Sequence, residues 1–240
     1  MSKVGIIGGI GPASTLEYYR EIVEGYRRAT GARNYPKIEV NSVDMTEMLS
    51  FIEAGDYEGL VGFLLSAVRE LARAGADFGA IASNTPHVVF DRVQALSPIP
   101  LISIVESTCA SAASLGLRKL LLIGTWSTMA GRFYQDALAA AGIEAFVPSE
   151  EGRRLVHGTI FPDLEEGLVL PEKKRVLTAL CGKLIDEARA DGIILGCTEL
   201  PLMLGAEDFD VAVLDTTRIH IDRIVERLAA ESREGAGAED

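Results

Sequence analysis

The sequence predicts an α/β protein made of two similar halves, each with a central parallel sheet. Short runs of β-branched residues and leucine alternate with helix-length amphipathic stretches along the 240 residues, a pattern typical of strands joined by helical crossovers. Several of these runs are apolar throughout, as expected for strands that helices cover on both faces. The same short motifs also occur twice at similar spacing, which indicates two halves.

Eight apolar runs are the predicted strands, and they are spread over the whole chain. They are Val4–Ile7, Ile38–Val43, Phe78–Ala82, Leu101–Val105, Leu120–Ile123, Ile143–Val147, Ile193–Leu195 and Val211–Leu214. The charged run Glu150–Arg154 is predicted to be a solvated loop. A last helix is predicted within 216–240, and we expect it to pack back on the first half.

The internal repeat places a polar triplet after one strand in each half. Ser83-Asn84-Thr85 and Cys197-Thr198-Glu199 both follow apolar runs, and an aspartate stands six residues before each triplet, at Asp77 and Asp191. Two prolines within 97–100 interrupt any helix there, so we predict an N-terminal domain over 1–98 and a C-terminal domain over 99–215. Ligands of such folds bind at the carboxyl ends of strands. Two halves that face each other would bring Ser83 and Cys197 together in the cleft between them.

The charge composition indicates which kinds of molecule the protein can bind. The formal net charge of -12, from 23 basic and 35 acidic residues, opposes binding to nucleic acid or to anionic lipid, so we expect a small-molecule ligand. No apolar run approaches the roughly 20 residues that span a bilayer, and no signal-peptide cleavage pattern follows the N-terminus. We therefore expect no membrane partner and a cytoplasmic protein. The three cysteines and three histidines lack metal-ligand spacing, which predicts no metal site.

The first βα turn, residues 8–15, is rich in glycine, and its backbone N–H groups could bind an anion. A G-x-G-x-x-G dinucleotide motif counted from Gly9 would need glycine at position 14, where Ser14 stands, so that interpretation fails. A tight turn with a helix cap remains the alternative.

Cys197 lies between a predicted strand and a predicted helix start, which predicts a lowered thiol pKa and a role as base or nucleophile. Cys109 and Cys181 are interpreted as packing residues. In the other half, Thr85 is predicted to cap a short helix that has Pro86 in its first turn. His87 stands where it could orient or deprotonate a neighbour, or make a purely structural hydrogen bond.

Five motifs in order resemble those of the cofactor-independent aspartate/glutamate racemase family. They are GGIGPAST at 8–15, VNSVDMTEM at 40–48, SNTPH at 83–87, GTWSTM at 124–129 followed by Phe133-Tyr134, and GCTEL at 196–200. The resemblance covers nearly the whole chain. It implies two pseudo-symmetric α/β domains with the active site between them, a homodimer, and an isomerase that needs no cofactor.

The resemblance also implies roles for individual residues. Family members of the usual type carry a cysteine in each matched motif, one on either face of the substrate α-carbon. Cys197 matches the second of these, whereas Ser83 takes the place of the first, as threonine does in one subgroup that racemises acidic amino acids. The residues implied to hold the substrate are Ile10, through its backbone, Asn84, Thr85, Thr125, Thr128, Thr198 and Glu199.

Three functions stay open at this point. The first is a racemase of aspartate, glutamate or a related amino acid. The second is a single-cysteine decarboxylase or cis–trans isomerase of a small dicarboxylic acid, and the third is a non-catalytic amino-acid-binding homologue. The segment Met45-Thr46-Glu47-Met48 offers no basic side chain for a distal carboxylate, so the identity of the amino acid is open as well.

Overall fold

The computed structural model describes residues 2–31 and 33–236, and its eight strands form two four-stranded parallel sheets. The strands are β1 Lys3–Gly8, β2 Lys37–Ser42, β3 Phe78–Ile81, β4 Leu101–Ile102, β5 Lys119–Gly124, β6 Glu144–Phe146, β7 Gly192–Gly196 and β8 Ala212–Asp215. The first sheet has the order β2-β1-β3-β4, and the second has the equivalent order β6-β5-β7-β8. The predicted α/β fold is confirmed.

Within the described part of the chain, ten α-helices surround the two sheets. They are α1 Pro12–Thr30, α2 Met45–Glu53, α3 Tyr57–Arg73, α4 Phe90–Leu96, α5 Ile104–Ser114, α6 Trp126–Ala130, α7 Phe133–Ala140, α8 Glu150–Thr159, α9 Pro171–Ala188 and α10 Thr216–Ala236. The predicted C-terminal helix is α10, and positions 237–240 of that prediction lie outside the described residues.

Two predicted elements are wrong. The apolar run Leu101–Val105 is a strand only as far as Ile102, because α5 begins at Ile104. The charged run Glu150–Arg154 is the start of α8 and not a loop. The side chain of Ser149 begins that helix by accepting a hydrogen bond of 3.3 Å from the Gly152 N–H, as an N-cap residue does.

The chain divides into two compact units, Met1–Ile104 with His220–Asp240, and Val105–Ile219. In the first unit, apolar residues of α10 share a core with residues of β1 and α1, namely Ile221, Ile224, Val225 and Leu228 with Val4, Ile6, Tyr18 and Ile22. The second unit has its own core around β5 and β7. The domain limits predicted after residues 98 and 215 stay a prediction.

The two aspartates of the sequence repeat have the same structural role in the two sheets. Asp77 accepts a 2.7 Å hydrogen bond from the backbone N–H of Lys3, at the start of β1. Asp191 accepts bonds of 2.8 and 3.0 Å from the N–H groups of Arg118 and Lys119, at the start of β5. Each aspartate thus ties its own strand to the neighbouring central strand, and we call Asp77 and Asp191 the register aspartates.

None of the helices within residues 2–31 and 33–236 is both long enough and apolar enough to cross a lipid bilayer.

Candidate active site

In the first unit, a buried polar segment follows β3. The Ala82 N–H donates to the Ile7 carbonyl at 2.9 Å, which keeps the chain in the sheet up to the residue before Ser83. Ser83 is only 8% exposed, and Asn84 and Thr85 are buried with it. The short 3₁₀ helix Thr85–Val89 then begins, with Asn84 and not Thr85 at the cap position. Three small polar side chains therefore stand buried where a central strand ends, as the repeat predicts.

His87 lies inside this segment and is fully buried. Its Nε2 accepts a 3.2 Å hydrogen bond from the Ile104 N–H, so the proton of the neutral ring is on Nδ1. Its ring stacks on Phe90, with centroids 4.9 Å apart, and meets the ring of His220 edge-on. Burial and the neighbouring His220 lower the pKa of His87 to about 3. His87 is therefore a neutral residue that joins the segment after Ser83 to the start of α5.

The glycine-rich turn after β1 is a compact structure that already uses part of its own hydrogen-bonding capacity. The Gly9 N–H donates to the Thr15 hydroxyl at 2.8 Å, so this amide is not free for an anion. Gly9 has a φ of 82°, and a Cβ there would overlap the Val43 carbonyl oxygen, which requires glycine at this position. The side chain of Ile10 packs in the core with Ile7 and Ile81, which leaves only its backbone for a ligand.

In the second unit, Cys197 follows β7 and is hydrogen-bonded to the residue two positions later. Its thiol donates to Glu199 Oε2 at 3.0 Å, and the Thr198 hydroxyl donates to the same oxygen at 2.8 Å. Cys197 is 5% exposed and Glu199 is 7% exposed. The carboxylate of Glu199 thus lies buried between a thiol and a hydroxyl.

The expected lowering of the Cys197 pKa is wrong in direction. Burial, the negative charge of Glu199 and the hydrogen bond that Glu199 accepts raise the pKa of the thiol well above its usual range. The backbone N–H groups of Glu199 and Leu200 act in the opposite sense but do not outweigh these effects. Cys197 is therefore a thiol, and not a thiolate, at neutral pH.

Thr125 and Thr128 lie at the start of α6, which follows β5. Thr125 caps α6, because its hydroxyl accepts the Thr128 N–H at 3.3 Å and lies 3.1 Å from the Thr128 hydroxyl. A Cβ on Gly196, the residue before Cys197, would lie 3.1 Å from the Thr128 methyl group. The start of α6 thus packs directly against the end of β7.

Three residues around the end of β7 make contacts that the sequence does not predict. The Thr216 hydroxyl donates to the Leu195 carbonyl at 2.8 Å, and Tyr134, fully buried, hydrogen-bonds to Thr108 and Thr216. The third is Glu165, whose charge interacts with that of Glu199. Thr216 and Glu165 belong to no motif, and Tyr134 belongs to the Phe133-Tyr134 pair that follows GTWSTM. The contacts of all three are visible only in the fold.

The other two cysteines have the predicted character of packing residues. Burial raises the pKa of Cys109 to about 11 and that of Cys181 to about 12. Among residues 2–31 and 33–236, no group of three or more histidine, cysteine, aspartate or glutamate side chains is placed to hold a metal ion.

Comparison with known proteins points to one family. Residues 7–224 match the family model described as Asp/Glu/Hydantoin racemase. The chain is 25% identical to the broad specificity amino-acid racemase RacX of Bacillus subtilis over 219 residues. The aligned residues cover 89% of this chain and 92% of the relative. The chain is 30% identical over 187 residues to a glutamate racemase of Koribacter versatilis, covering 73% of this chain and 62% of the relative.

Solved structures of similar proteins agree. A putative Asp/Glu racemase from Yersinia pestis superposes with a TM-score of 0.88 at 32% identity, covering 95% of this chain and 99% of that one. An aspartate racemase homologue from Pyrococcus horikoshii superposes with a TM-score of 0.82 at 37% identity, covering 96% and 100%. In both cases the similarity extends over nearly the whole chain.

Proposed function

Because the chain belongs to the Asp/Glu/Hydantoin racemase family, we propose that it racemises aspartate, glutamate or a related amino acid without a cofactor. The reaction removes the α-proton from one face of the α-carbon and returns a proton to the opposite face. We assign Cys197 and Ser83 as the two acid/base groups. One observation carries the assignment: both are buried at the end of the third strand of sheets with equivalent topology, six residues after a register aspartate.

The Cys197–Glu199 pair supports proton transfer at one of the two positions. For Cys197 to act as a base, its own proton must first leave, and the Glu199 carboxylate 3.0 Å away accepts it. The thiolate then takes the α-proton, and the hydroxyl of Ser83 supplies a proton to the opposite face. In the reverse direction the Cys197 thiol is the proton donor, a role that its raised pKa suits directly.

The substrate's α-carboxylate and ammonium group need partners with short polar side chains. The residues we propose for this are Asn84, Thr85, Thr125, Thr128, Thr198 and Glu199, together with the backbone of Ile10. All but Thr125 are buried, so each offers its polar atoms in surroundings where a hydrogen bond to a charged group is strong. The homodimer and the cytoplasmic location stay predictions.

A second function is favoured by one specific observation. A thiol kept protonated by burial and by Glu199 is well prepared to donate a proton to a carbanion on one face only. This chemistry suits a decarboxylase or cis–trans isomerase of a small dicarboxylic acid, in which Ser83 has no acid/base role. Release of carbon dioxide from substituted malonates, or conversion of maleate to fumarate, would identify it.

The test of the racemase proposal is proton NMR of L- and D-amino acids in heavy water. We expect loss of the α-proton signal with no added cofactor, and Cys197→Ser should slow it by about 10² to 10⁴-fold, the usual contribution of an acid/base group. Cys109→Ser is the matched control and should leave the rate unchanged. Absence of exchange for every common amino acid would refute the racemase, and calorimetric binding without exchange would indicate a binding protein.

The acid/base role of Ser83 is tested by a variant that has a cysteine at both positions, 83 and 197. Ser83→Cys should raise the exchange rate, since a thiol is a far stronger acid than a hydroxyl. Ser83→Ala should remove exchange from the enantiomer whose α-proton faces Ser83 more strongly than from the other. Equal rates from both enantiomers in Ser83→Ala would show that Ser83 has no part in proton transfer.

A further inference from the structure

The backbone just before Cys197 is held by a hydroxyl group of the neighbouring chain segment. β7 pairs with β8 as far as Leu195, which lies opposite Asp215, the last residue of β8. The next residue is Thr216, and its hydroxyl donates to the Leu195 carbonyl at 2.8 Å. Thr216 is fully buried. A side chain therefore continues the contact between the two segments where the strand pairing ends, two residues before the thiol.

Gly196 makes this contact important, because glycine has the greatest backbone freedom of all residues. It is the one residue between Leu195 and Cys197, and a Cβ on it would lie only 3.0 Å from the Ile123 carbonyl oxygen. The crowding explains why a small residue stands here. The direction of Cys197 thus depends on how firmly the peptide group between Leu195 and Gly196 is held, and Thr216 bonds to the carbonyl of that peptide group.

Two more buried hydroxyl groups stand behind Thr216. Tyr134 on α7 is fully buried and hydrogen-bonds to Thr216 and to Thr108, which is buried on α5. A hydroxyl group has one proton to donate, and Thr216 uses its own on the Leu195 carbonyl. Tyr134 must therefore donate to Thr216 and accept from Thr108. The result is a directed chain of hydrogen bonds that ends on the Leu195 carbonyl.

A directed chain of this kind strengthens its last hydrogen bond, because each donor is polarised by the bond that it accepts. All three hydroxyl side chains are buried, so bulk water does not compete for their partners. Burial also raises the pKa of Tyr134 far above its usual range, which keeps the phenolic proton in place at neutral pH. The chain therefore fixes one peptide plane, and that plane directly precedes the segment with Cys197.

We propose that Thr216 is a positioning residue for the reaction and that Tyr134 supports it. The Thr216 hydroxyl fixes the peptide group before Gly196, and through it the direction in which the Cys197 thiol meets the substrate α-carbon. Neither Thr216 nor Tyr134 touches the substrate in this assignment. The inference rests on the proposed function, in which Cys197 serves one face of the α-carbon and Ser83 the other.

Two substitutions at position 216 give the sharpest comparison. Thr216→Val keeps the shape of the side chain and removes the hydroxyl, whereas Thr216→Ser keeps the hydroxyl and loses a methyl group. A reacting group misplaced by about 1 Å costs about 10²-fold in rate. We therefore expect Thr216→Val to lower kcat by about this factor with little change in KM, and Thr216→Ser to restore most of the loss. Tyr134→Phe, which removes only the supporting bond, should fall between them.

The enantiomer that loses exchange separates positioning from a loss of stability. In heavy water, Thr216→Val should slow exchange mainly from the enantiomer whose α-proton faces Cys197, which is the one that Ser83→Ala affects less. A smaller folded fraction would slow both enantiomers equally. Thr178→Val is the matched control, because the Thr178 hydroxyl oxygen is also buried in the second unit and has no hydrogen-bond partner within the described residues. It should leave both rates unchanged.

The outcomes distinguish this inference from the proposed function. Equal kcat in Thr216→Val and Thr216→Ser, or equal losses from both enantiomers, would overturn the positioning role and leave the racemase intact. If Thr216→Val does not fold, Tyr134→Phe is read by the same criteria. If the unaltered protein exchanges no amino acid, the racemase fails, and alkylation of Cys197 by iodoacetamide decides. A rate altered in Thr216→Val but not in Thr216→Ser supports the positioning of the thiol, and a rate unchanged in both overturns it.

Discussion

At the scale of single residues, burial and the neighbouring Glu199 together keep Cys197 protonated. The Glu199 carboxylate is a negative charge beside the thiol and also the acceptor of the thiol proton, and both effects favour the protonated form. The same carboxylate is the base that can remove this proton when the substrate binds. A carboxylate two residues from the cysteine therefore makes the resting thiol unreactive and at the same time prepares it for proton transfer.

Replacing Glu199 should change the reactivity of Cys197 in a predictable direction. Glu199→Gln removes the negative charge, so the pKa of Cys197 should fall and its alkylation by iodoacetamide should begin at lower pH. Mass spectrometry after graded alkylation follows each cysteine separately, with Cys181 in the core as the internal control. An unchanged or raised onset of Cys197 alkylation would contradict the role of Glu199.

The strand-end positions of Ser83 and Cys197 could be predicted from the sequence, but the direction of the Cys197 pKa shift could not. Cys197 and Ser83 were identified by their place after apolar runs, because strand ends are visible in the pattern of residues. The direction of the Cys197 pKa depends on which way the Glu199 side chain turns and on how deeply it is buried. Glu165 lies more than thirty residues from Cys197 and follows no motif, so only the fold reveals that its charge interacts with that of Glu199.

At the scale of elements, the register aspartates explain why the repeat is visible in the sequence. A carboxylate is well suited to accept one or two backbone N–H groups at the start of a strand, where the sheet leaves them without a partner. The apolar strand after it must then pair with the central strand in one register. Five residues lie between each aspartate and its polar triplet. In the second sheet these five residues are β7, and in the first they are β3 together with Ala82.

Loss of a register aspartate should destabilise the protein. Asp191→Ala leaves the N–H groups of Arg118 and Lys119 without their acceptor, and a lost hydrogen bond of this kind costs about 1–3 kcal/mol. The midpoint of urea unfolding should fall accordingly, and Asp191→Asn, which keeps one acceptor oxygen, should lose less. Asp186→Ala, at an exposed position of α9, is the control and should leave the midpoint nearly unchanged. A midpoint for Asp191→Ala equal to that of the control would show that the aspartate does not stabilise the sheet.

The strands are the part of the fold that the sequence predicts best, since each of the eight runs lies within a residue or two of an observed strand, apart from the early end of β4. That exception has a physical cause. Val105 is apolar and β-branched, but it is buried on a helix, and a buried helix face needs the same residue types as a buried strand. The run Glu150–Arg154 is helical although its sequence is typical of a solvated loop. Only a narrow stripe of α8 is apolar, and most of its surface is charged, so the helical pattern is weak in the sequence.

The histidine pair of the first unit should make the fold sensitive to acid. Burial lowers the pKa of His220 to about 4 and that of His87 to about 3, whereas both titrate near 6.5 in the unfolded chain. Below pH 6.5 the unfolded chain binds protons that the folded histidines do not, so the free energy of unfolding should be highest above pH 6.5. It should fall by about 1.4 kcal/mol per pH unit for each histidine, down to pH 4 for His220 and pH 3 for His87.

The measurement is urea unfolding at several pH values between 4 and 8. His220 Nε2–H donates to the Ile102 carbonyl and Nδ1 accepts from the Tyr18 hydroxyl, so His220→Gln will lower stability at every pH. The informative quantity is the slope of stability against pH below 6.5, which should be flatter in the variant. An unchanged slope would mean that His220 does not remain neutral in the folded protein.

At the scale of the whole molecule, the net charge of -12 gives a long-range attraction for cationic ligands. Salt screens such attraction, since the Debye length shortens from about 30 Å at 0.01 M to about 3 Å at 1 M. Raising the sodium chloride concentration should therefore lower kcat/KM for lysine and raise it for glutamate. Glutamine is the control and should respond little. A common response of all three amino acids would indicate that salt acts on the fold and not on encounter with the substrate.

The register aspartates fix the strands, whereas the polar triplets supply the side chains proposed for the chemistry. Each polar triplet begins six residues after its aspartate, and the backbone bonds that locate it do not involve the triplet's own side chains. We therefore expect single substitutions of Ser83 and Cys197 to leave both strand registers unchanged. Variants with two thiols, one thiol or none at positions 83 and 197 would then differ in their chemistry and share one architecture, so that the number of acid/base groups becomes an experimental variable.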